Sequence, residues 1–160
     1  MSFVPAPAAG AGPLEQGEPR GLLDAAARAR VAAFAEMSPH WDGVICLPGD
    51  PTHWVHLSAG EIVSFQSFLT RRLAEAFGPA GTPDEGVLEA AMARPERLAA
   101  MLRSAELGGN RAEILGALMG AELAAAKVYW LGQQVVVMGE GALADGYAAA
   151  LERLGVPVDR

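Results

Sequence analysis

The sequence predicts a mixed α/β domain, and three observations indicate this class. Short apolar runs rich in β-branched residues follow one another between residues 43 and 68, separated by Pro-Gly and Ala-Gly turns. Alanine-rich, helix-forming stretches lie before and after these runs. A last predicted strand at residues 133–138, apolar from Val135 onward, is followed by glycine and another helix-forming stretch, which is the order strand, turn, helix. We therefore expect one sheet with helices packed on it.

Composition excludes several classes of protein. The chain has 160 residues, enough for one domain with a sizeable core. Its formal net charge of -7 and its single lysine argue against nucleic-acid binding, which needs clustered cations. One cysteine, Cys46, cannot form an internal disulfide and is expected to be a small buried hydrophobe on a strand. Neither an apolar run of membrane-spanning length nor a signal-peptide pattern is found, so a cytoplasmic location is the default expectation.

The first residues carry no periodic pattern. Residues 1–19 are rich in proline, alanine and glycine, and we expect a flexible or extended lead-in to a single domain spanning residues 20–160. Residues 21–36 then have good helix propensity, and Ser38-Pro39 is expected to end this helix.

The central segment predicts three consecutive strands. Gly43–Leu47 and His53–Leu57 are expected to pair as a hairpin, and Ile62–Phe68 to return antiparallel after the turn at Ser58–Glu61. Trp54 is then expected to pack within the hairpin or the core. Exposed strand edges also favour a homodimer or another partner chain.

The remaining segments predict helices at 70–77, 82–93, 95–107, 111–127 and 142–154. Thr70, Thr82 and Asn110 are the expected N-caps. Gly116 and Gly120 lie four residues apart and predict close packing of a neighbouring backbone. Glu113 and Glu122 lack the paired geometry of acid and base catalysis, so we expect both on solvated faces.

Two other kinds of site find little support. His53 and His56 lie three apart on a predicted strand, so their side chains point to opposite faces and cannot readily share a metal ion. Ser58 and Ser64 lack the G-x-S-x-G surroundings of a nucleophilic serine. We predict no metal site and assign no catalytic residue.

Residues 47–73 resemble the start of the C-terminal domain of the 2-dehydro-3-deoxygalactonokinase family, within the hexokinase and actin-like ATPase superfamily. The matching residues are Leu47, Pro48, Gly49, Thr52, Trp54, Val55, Gly60, Ile62, Val63, Ser64, Phe65, Ser67, Phe68, Thr70 and Leu73. Looser matches follow in LMGAELA at 118–124, YWLG at 129–132 and VVVMGEGALADGY at 135–147.

The resemblance implies a fold and an activity. The fold would be a ribonuclease-H-like half-domain, without the family's N-terminal domain and final helix. The activity would be ATP- and Mg-dependent phosphorylation of 2-dehydro-3-deoxygalactonate at its 6-hydroxyl, in a cleft between two domains. The resemblance implies nucleotide contacts at Gly49, Thr52 and His53 for the phosphates, and at Gly139 and Glu140 for the adenosine.

The hairpin loop departs from the family pattern in ways that weaken anion binding. Asp50 stands where the family has threonine, Pro51 lacks an N–H donor, and His53 stands where the family has lysine. Arg71 and Arg72 occupy the family's Gly-Glu positions. Three hypotheses stay open: a sugar-acid kinase, a degenerate domain that binds a partner protein or itself, and a fragment with residual ligand binding and no catalysis.

Overall fold

The computed structural model describes residues 2–79 and 81–160, and its main feature is a six-stranded mixed sheet covered by helices on both faces. The strands are β1 (Ser2–Phe3), β2 (Ala6–Pro7), β3 (Leu14–Gln16), β4 (Gly21–Leu23), β5 (Gly43–Leu47), β6 (Thr52–Ser58), β7 (Glu61–Phe68), β8 (Val135–Val137) and β9 (Val158–Asp159). The helices are α1 (Ala25–Met37), α2 (Thr70–Glu75), α3 (Glu85–Ala93), α4 (Leu98–Gly108), α5 (Arg111–Ala125), α6 (Lys127–Trp130) and α7 (Ala142–Arg153), with a 3-10 turn at Pro95–Arg97 before α4.

The large sheet has the strand order β2-β7-β6-β5-β8-β9. Strands β5, β6 and β7 pair antiparallel in sequence order, which confirms the hairpin and the returning third strand. Strand β8 pairs parallel with β5, and β9 parallel with β8. The predicted α/β class with a mixed sheet and flanking helices is therefore confirmed.

Each face of the sheet has its own apolar core. Successive side chains of a pleated strand project to opposite faces, so alternate residues of each strand contribute to the two cores. Trp54 and Cys46 pack with α5 and α7 on one face, whereas Ile45 and Val55 pack with α1 on the other. Cys46 and Trp54 are both fully buried, as expected from the sequence.

Residues 2–19 differ from the flexible lead-in that their composition suggests. Strands β1, β3 and β4 form a small sheet of their own, in which Gln16 pairs with Gly21 across the expected domain boundary. The Gln16 side-chain amide donates to the Phe65 carbonyl at 2.7 Å and accepts from the Phe65 N–H at 2.8 Å, so it joins this small sheet to β7. Leu14 is fully buried. Met1 lies outside the described residues.

The side chain of Arg28, on α1, also fixes the N-terminal segment in place. Its buried guanidinium donates to the carbonyls of Pro7 at 3.0 Å, Ala8 at 3.3 Å and Gly12 at 3.4 Å. These three contacts satisfy backbone acceptors of a segment that has little regular structure of its own. The ordering of this segment thus depends on tertiary contacts that its local sequence does not reveal.

Three helix starts correct the sequence-based expectations. Helix α1 begins at Ala25 with Asp24 as its cap, because residues 21–23 pair as β4. Helix α3 begins at Glu85, where Asp84 rather than Thr82 accepts from the Val87 N–H. Thr70 is not a cap but the first residue of α2. The Asn110 cap of α5 is confirmed, with its side-chain oxygen accepting from the N–H groups of residues 112 and 113.

Gly116 and Gly120 provide the predicted close approach between helices. A Cβ atom at Gly120 would lie 2.2 Å from the Leu88 carbonyl oxygen, and one at Gly116 would lie 2.5 Å from the Asp84 carbonyl oxygen. Helices α3 and α5 can therefore touch only because these positions carry no side chain.

Within residues 2–79 and 81–160, every helix is too short or too polar to cross a lipid bilayer.

Candidate functional site

The hairpin loop between β5 and β6 is closed by the Thr52 hydroxyl. This hydroxyl accepts from the Gly49 N–H at 3.4 Å and donates to the Gly49 carbonyl at 3.3 Å. Thr52 is fully buried and its oxygen lies 3.5 Å from the Tyr147 hydroxyl, on the α7 side of the sheet. The Thr52 hydroxyl is thus engaged inside the protein.

His53 points to the opposite face of the sheet. Its Nδ1 lies 2.7 Å from the Ser67 hydroxyl oxygen, and burial lowers its pKa below the ordinary value, opposed by the charge of Asp24. With Gly49 and Asp24, His53 lines a cleft of about 190 Å³ between the loop and α1. Gly49 and His53 therefore share one cleft, from which the Thr52 side chain is turned away.

Asp50 and Arg72 form an ion pair that joins the loop to α2. Arg72 Nε lies 3.0 Å from Asp50 Oδ1 and 3.2 Å from Oδ2, and Arg72 Nη2 lies 3.0 Å from Oδ1. Two of the departures from the family pattern therefore contact each other. The side chains are 34% and 59% exposed, respectively, so solvent screens the pair and it contributes little to stability.

Gly139 lies in the turn between β8 and α7, beside the hairpin loop. A Cβ atom built there would lie 3.7 Å from Pro48 Cδ and 3.5 Å from Ala144 Cβ. The Gly139 carbonyl accepts from Arg160 at 3.4 Å, and Arg160 also pairs with Asp145 at 2.7 Å. Arg160 thus contacts the first turn of α7.

Glu140 opens into a different cleft, about 340 Å³ in volume, between α2 and α7. Arg71, Glu75 and Glu140 are its charged residues, and Leu115 and Leu143 supply apolar wall. Arg71 is paired with Glu75 at 2.8 Å. The five predicted contact residues are thus divided: Gly49 and His53 line one cleft, Glu140 lines the other, Thr52 is interior, and Gly139 lies against the loop.

The sequence-based interpretation of Glu122 is wrong, because this residue is buried rather than solvated. Its Oε1 accepts from Trp54 Nε1 at 2.7 Å, and its Oε2 accepts from the Tyr147 hydroxyl at 2.6 Å and from the Thr70 hydroxyl. Burial raises the pKa of Glu122, while the three donors act in the opposite direction. Burial also raises the pKa of Tyr147 well above its ordinary value, and the Glu122 charge adds to that increase.

The helical spacing of apolar residues in α5 could have identified Glu122 as a buried residue. It lies three and four residues after Met119 and Leu118, both of which face the core. A carboxylate in such a stripe needs donors, and Trp54, Thr70 and Tyr147 provide them. Every buried side-chain nitrogen or oxygen among the described residues has a hydrogen-bond partner.

The hairpin loop does not fit the phosphates of ATP. Its one charged residue, Asp50, is an anion, the Thr52 hydroxyl is used inside the protein, and Pro51 has no N–H to donate. The described residues also contain no group of three or more His, Cys, Asp or Glu side chains arranged to hold a metal ion. The residues of the loop itself therefore offer ATP phosphates neither a cation nor a free hydroxyl.

Comparison with known proteins gives one family and one fold. The family model described as 2-keto-3-deoxy-galactonokinase matches residues 28–78 and 74–160. A crystal structure from Sinorhizobium meliloti, provisionally assigned as a 2-dehydro-3-deoxygalactonokinase, superposes with a TM-score of 0.81 at 22% sequence identity. The superposition covers 99% of this chain and 67% of that one, and it is consistent with the expected ribonuclease-H-like arrangement.

No protein with a curated functional description matches the sequence. The family match, in contrast, covers most of the chain, including the three central strands and the β8–α7 turn. The chain therefore belongs to the 2-keto-3-deoxy-galactonokinase family.

Proposed function

We propose that this chain is a degenerate kinase domain of its family, which does not transfer a phosphoryl group by itself. The family reaction is ATP- and Mg-dependent phosphorylation of 2-dehydro-3-deoxygalactonate at the 6-hydroxyl. The observation that carries the proposal is the Asp50–Arg72 ion pair at the hairpin loop.

Phosphoryl transfer depends on cations and N–H donors that stabilise the charge of the transferring group. In the hairpin loop, the Asp50 carboxylate opposes that charge, and Arg72 is paired with Asp50 itself. Arg30 also lines the cleft beside the loop, where its guanidinium donates to the Met138 carbonyl. His53 supplies no compensating charge, because burial lowers its pKa and favours the neutral form near pH 7. Binding of ATP and Mg at this loop is accordingly expected to be weak.

The domain assignment belongs to the same proposal. Residues 20–160 would correspond to the family's C-terminal domain, and a second domain would complete the cleft and hold much of the sugar acid. Adenosine would lie near Gly139 and Glu140, where the β8–α7 turn meets the cleft between α2 and α7. A cytoplasmic location, where ATP and sugar acids occur together, completes the proposal.

An ADP-release assay with the purified chain, Mg-ATP and 2-dehydro-3-deoxygalactonate tests this function. We expect no ADP release above that of the reaction without protein. Turnover that co-elutes with the chain on a sizing column and scales with its concentration would overturn the proposal. Co-elution separates activity of this chain from that of a contaminating kinase of different size.

Self-association without catalysis is a second candidate function. It is favoured by two large apolar side chains that are exposed on the small sheet, Phe3 and Leu22, with exposed fractions of 56% and 52%. Neither residue lies at the hairpin loop or the β8–α7 turn, so this function would use a separate surface.

A further inference from the structure

The outward face of the small sheet carries one row of three side chains. Phe3 of β1 is in register with Glu15 of β3, and Glu15 is in register with Leu22 of β4. Residues in register on neighbouring strands project to the same face. Leu14 and Leu23, which project to the other face, are fully buried. The outward row therefore consists of apolar Phe3, acidic Glu15 and apolar Leu22, and the two apolar side chains are about half exposed.

This row borders a shallow groove of about 510 Å³ that also contains a positive charge. Arg20, in the turn between β3 and β4, lines the groove together with Glu15 and the two apolar side chains. Arg20 and Glu15 belong to none of the ion pairs formed within residues 2–79 and 81–160. One surface thus combines two exposed apolar groups with opposite charges that do not pair with each other.

We propose that this face binds the same face of a second copy of the chain. In a twofold dimer each patch meets itself, so a patch with one acid and one base can be complementary to its own copy. Glu15 of each copy would lie opposite Arg20 of the other, around an apolar centre made by Phe3 and Leu22. The inference specifies the surface and the pairing of the self-association named above as the second candidate function, and it does not depend on whether the chain is catalytically inactive.

The alternative of pairing strand edges is less favourable at this sheet. Its edge strands, β1 and β4, contain only two and three residues, so they offer few backbone groups to a new strand. Side-chain contacts across the face can instead bury the apolar groups that β1 and β4 leave exposed. The net charge of -7 per chain opposes association at long range, which makes the local charge pairing more important.

Sedimentation equilibrium over a range of protein concentrations tests the proposal on the full chain. We expect the wild-type mass to approach that of a dimer, and Leu22→Glu to weaken dimerisation by at least about tenfold in Kd. The matched control is Leu107→Glu, since Leu107 is 70% exposed on α4 and lies on another part of the surface. The control should leave the Kd unchanged. A wild-type chain that stays monomeric throughout would overturn the proposal.

A charge exchange identifies the pairing. Glu15→Arg and Arg20→Glu should each weaken self-association by about tenfold or more, because like charges then meet across the twofold axis. An equimolar mixture of these two variants should form heterodimers, because both cross pairs are again opposite in charge. Equal masses for the mixture and the separate variants would contradict the pairing of Glu15 with Arg20. Circular dichroism of each variant checks that the overall fold is retained.

Discussion

The Tyr147 hydroxyl lies 2.6 Å from Glu122 Oε2, so α7 donates a hydrogen bond to a carboxylate of α5 inside the core. The same carboxylate accepts from Trp54 of β6 and from Thr70 of α2. Glu122 therefore links four elements, of which β6 leads directly out of the hairpin loop and α7 follows the turn at Gly139. This polar network joins the elements around the candidate site, and its Tyr147 hydroxyl lies 3.5 Å from the Thr52 hydroxyl.

Removing the Glu122 carboxylate should destabilise the fold strongly. Glu122→Ala leaves the Trp54 N–H and the two hydroxyls without an acceptor in a buried site, at a cost of about 3 kcal/mol or more. Urea unfolding followed by tryptophan fluorescence measures the difference in unfolding free energy. Glu89→Ala is the control, because Glu89 is exposed on α3 and lies outside the buried network. A loss below about 1 kcal/mol would contradict the role of Glu122.

Glu122→Gln should change how the unfolding free energy depends on pH, and not only the magnitude of that free energy. The folded pKa of Glu122 lies above the ordinary glutamate value because of burial, so the protonated form favours the folded state. Its contribution is complete below the unfolded pKa and is lost as the pH rises through the folded pKa.

The measurement is the unfolding free energy of wild type minus that of Glu122→Gln, across the acidic range. Glutamine does not titrate, and other carboxyl groups contribute equally to both proteins, so the difference isolates Glu122. We expect the difference to move against the wild type as the pH rises above the ordinary glutamate range. A flat difference would show that the folded and unfolded pKa values of Glu122 are equal.

The sequence was sufficient for elements whose periodicity and turns are local. Strands β5, β6 and β7, the Asn110 cap and the Gly116–Gly120 contact were all predictable, because each depends on neighbouring residues or on a helical spacing. The clefts were only partly predictable. Neighbouring residues Thr52 and His53 were expected to act together at the phosphates, but alternation along β6 directs them to opposite faces.

What the sequence did not reveal depends on partners far along the chain. Residues 2–19 are held in place by hydrogen bonds of Gln16 and Arg28. The farthest acceptor of Gln16 is 49 residues away along the chain, and the farthest acceptor of Arg28 is 21 residues away. Glu122 and Thr70 are hydrogen-bonded to each other although they lie 52 residues apart in the sequence. From local sequence alone, Glu122 therefore resembled a solvated acid and Thr70 a helix cap. Polar side chains with distant partners have no local pattern, and this is why both were misassigned.

Gly120→Ala should destabilise the contact between α3 and α5. The new methyl group would meet the Leu88 carbonyl oxygen and the Ala91 side chain, and backbone cannot move aside cheaply, so we expect a loss of about 2–3 kcal/mol. Gly108→Ala is the control, since a Cβ atom there meets nothing within 4 Å and alanine favours the helix. Thermal unfolding should therefore show opposite shifts in Tm. A neutral Gly120→Ala variant would contradict the close packing.

Asp50→Thr should strengthen the binding of polyphosphate anions. It removes the carboxylate, restores the residue that the family pattern has at this position, and releases Arg72 to contact an anion. Calorimetry with Mg-ATP should show at least about a tenfold decrease in Kd relative to the wild type. Asp50→Thr combined with Arg72→Glu should lose the gain, because the released cation is then absent. Since the ion pair is exposed, both variants should change stability by less than about 1 kcal/mol.

His53 should make the protein less stable as the pH falls below about 6.5, the ordinary histidine pKa. Burial lowers the folded pKa of His53, so the stabilisation is present above the unfolded pKa and is lost as the pH falls through the folded pKa. His53→Asn should reduce this part of the pH dependence, whereas the control His40→Asn should leave it unchanged, since His40 is exposed. Urea unfolding between neutral and mildly acidic pH measures the slope for all three proteins. If His53→Asn retained the full wild-type slope, the acid sensitivity would have to come from another group than the imidazole beside Ser67.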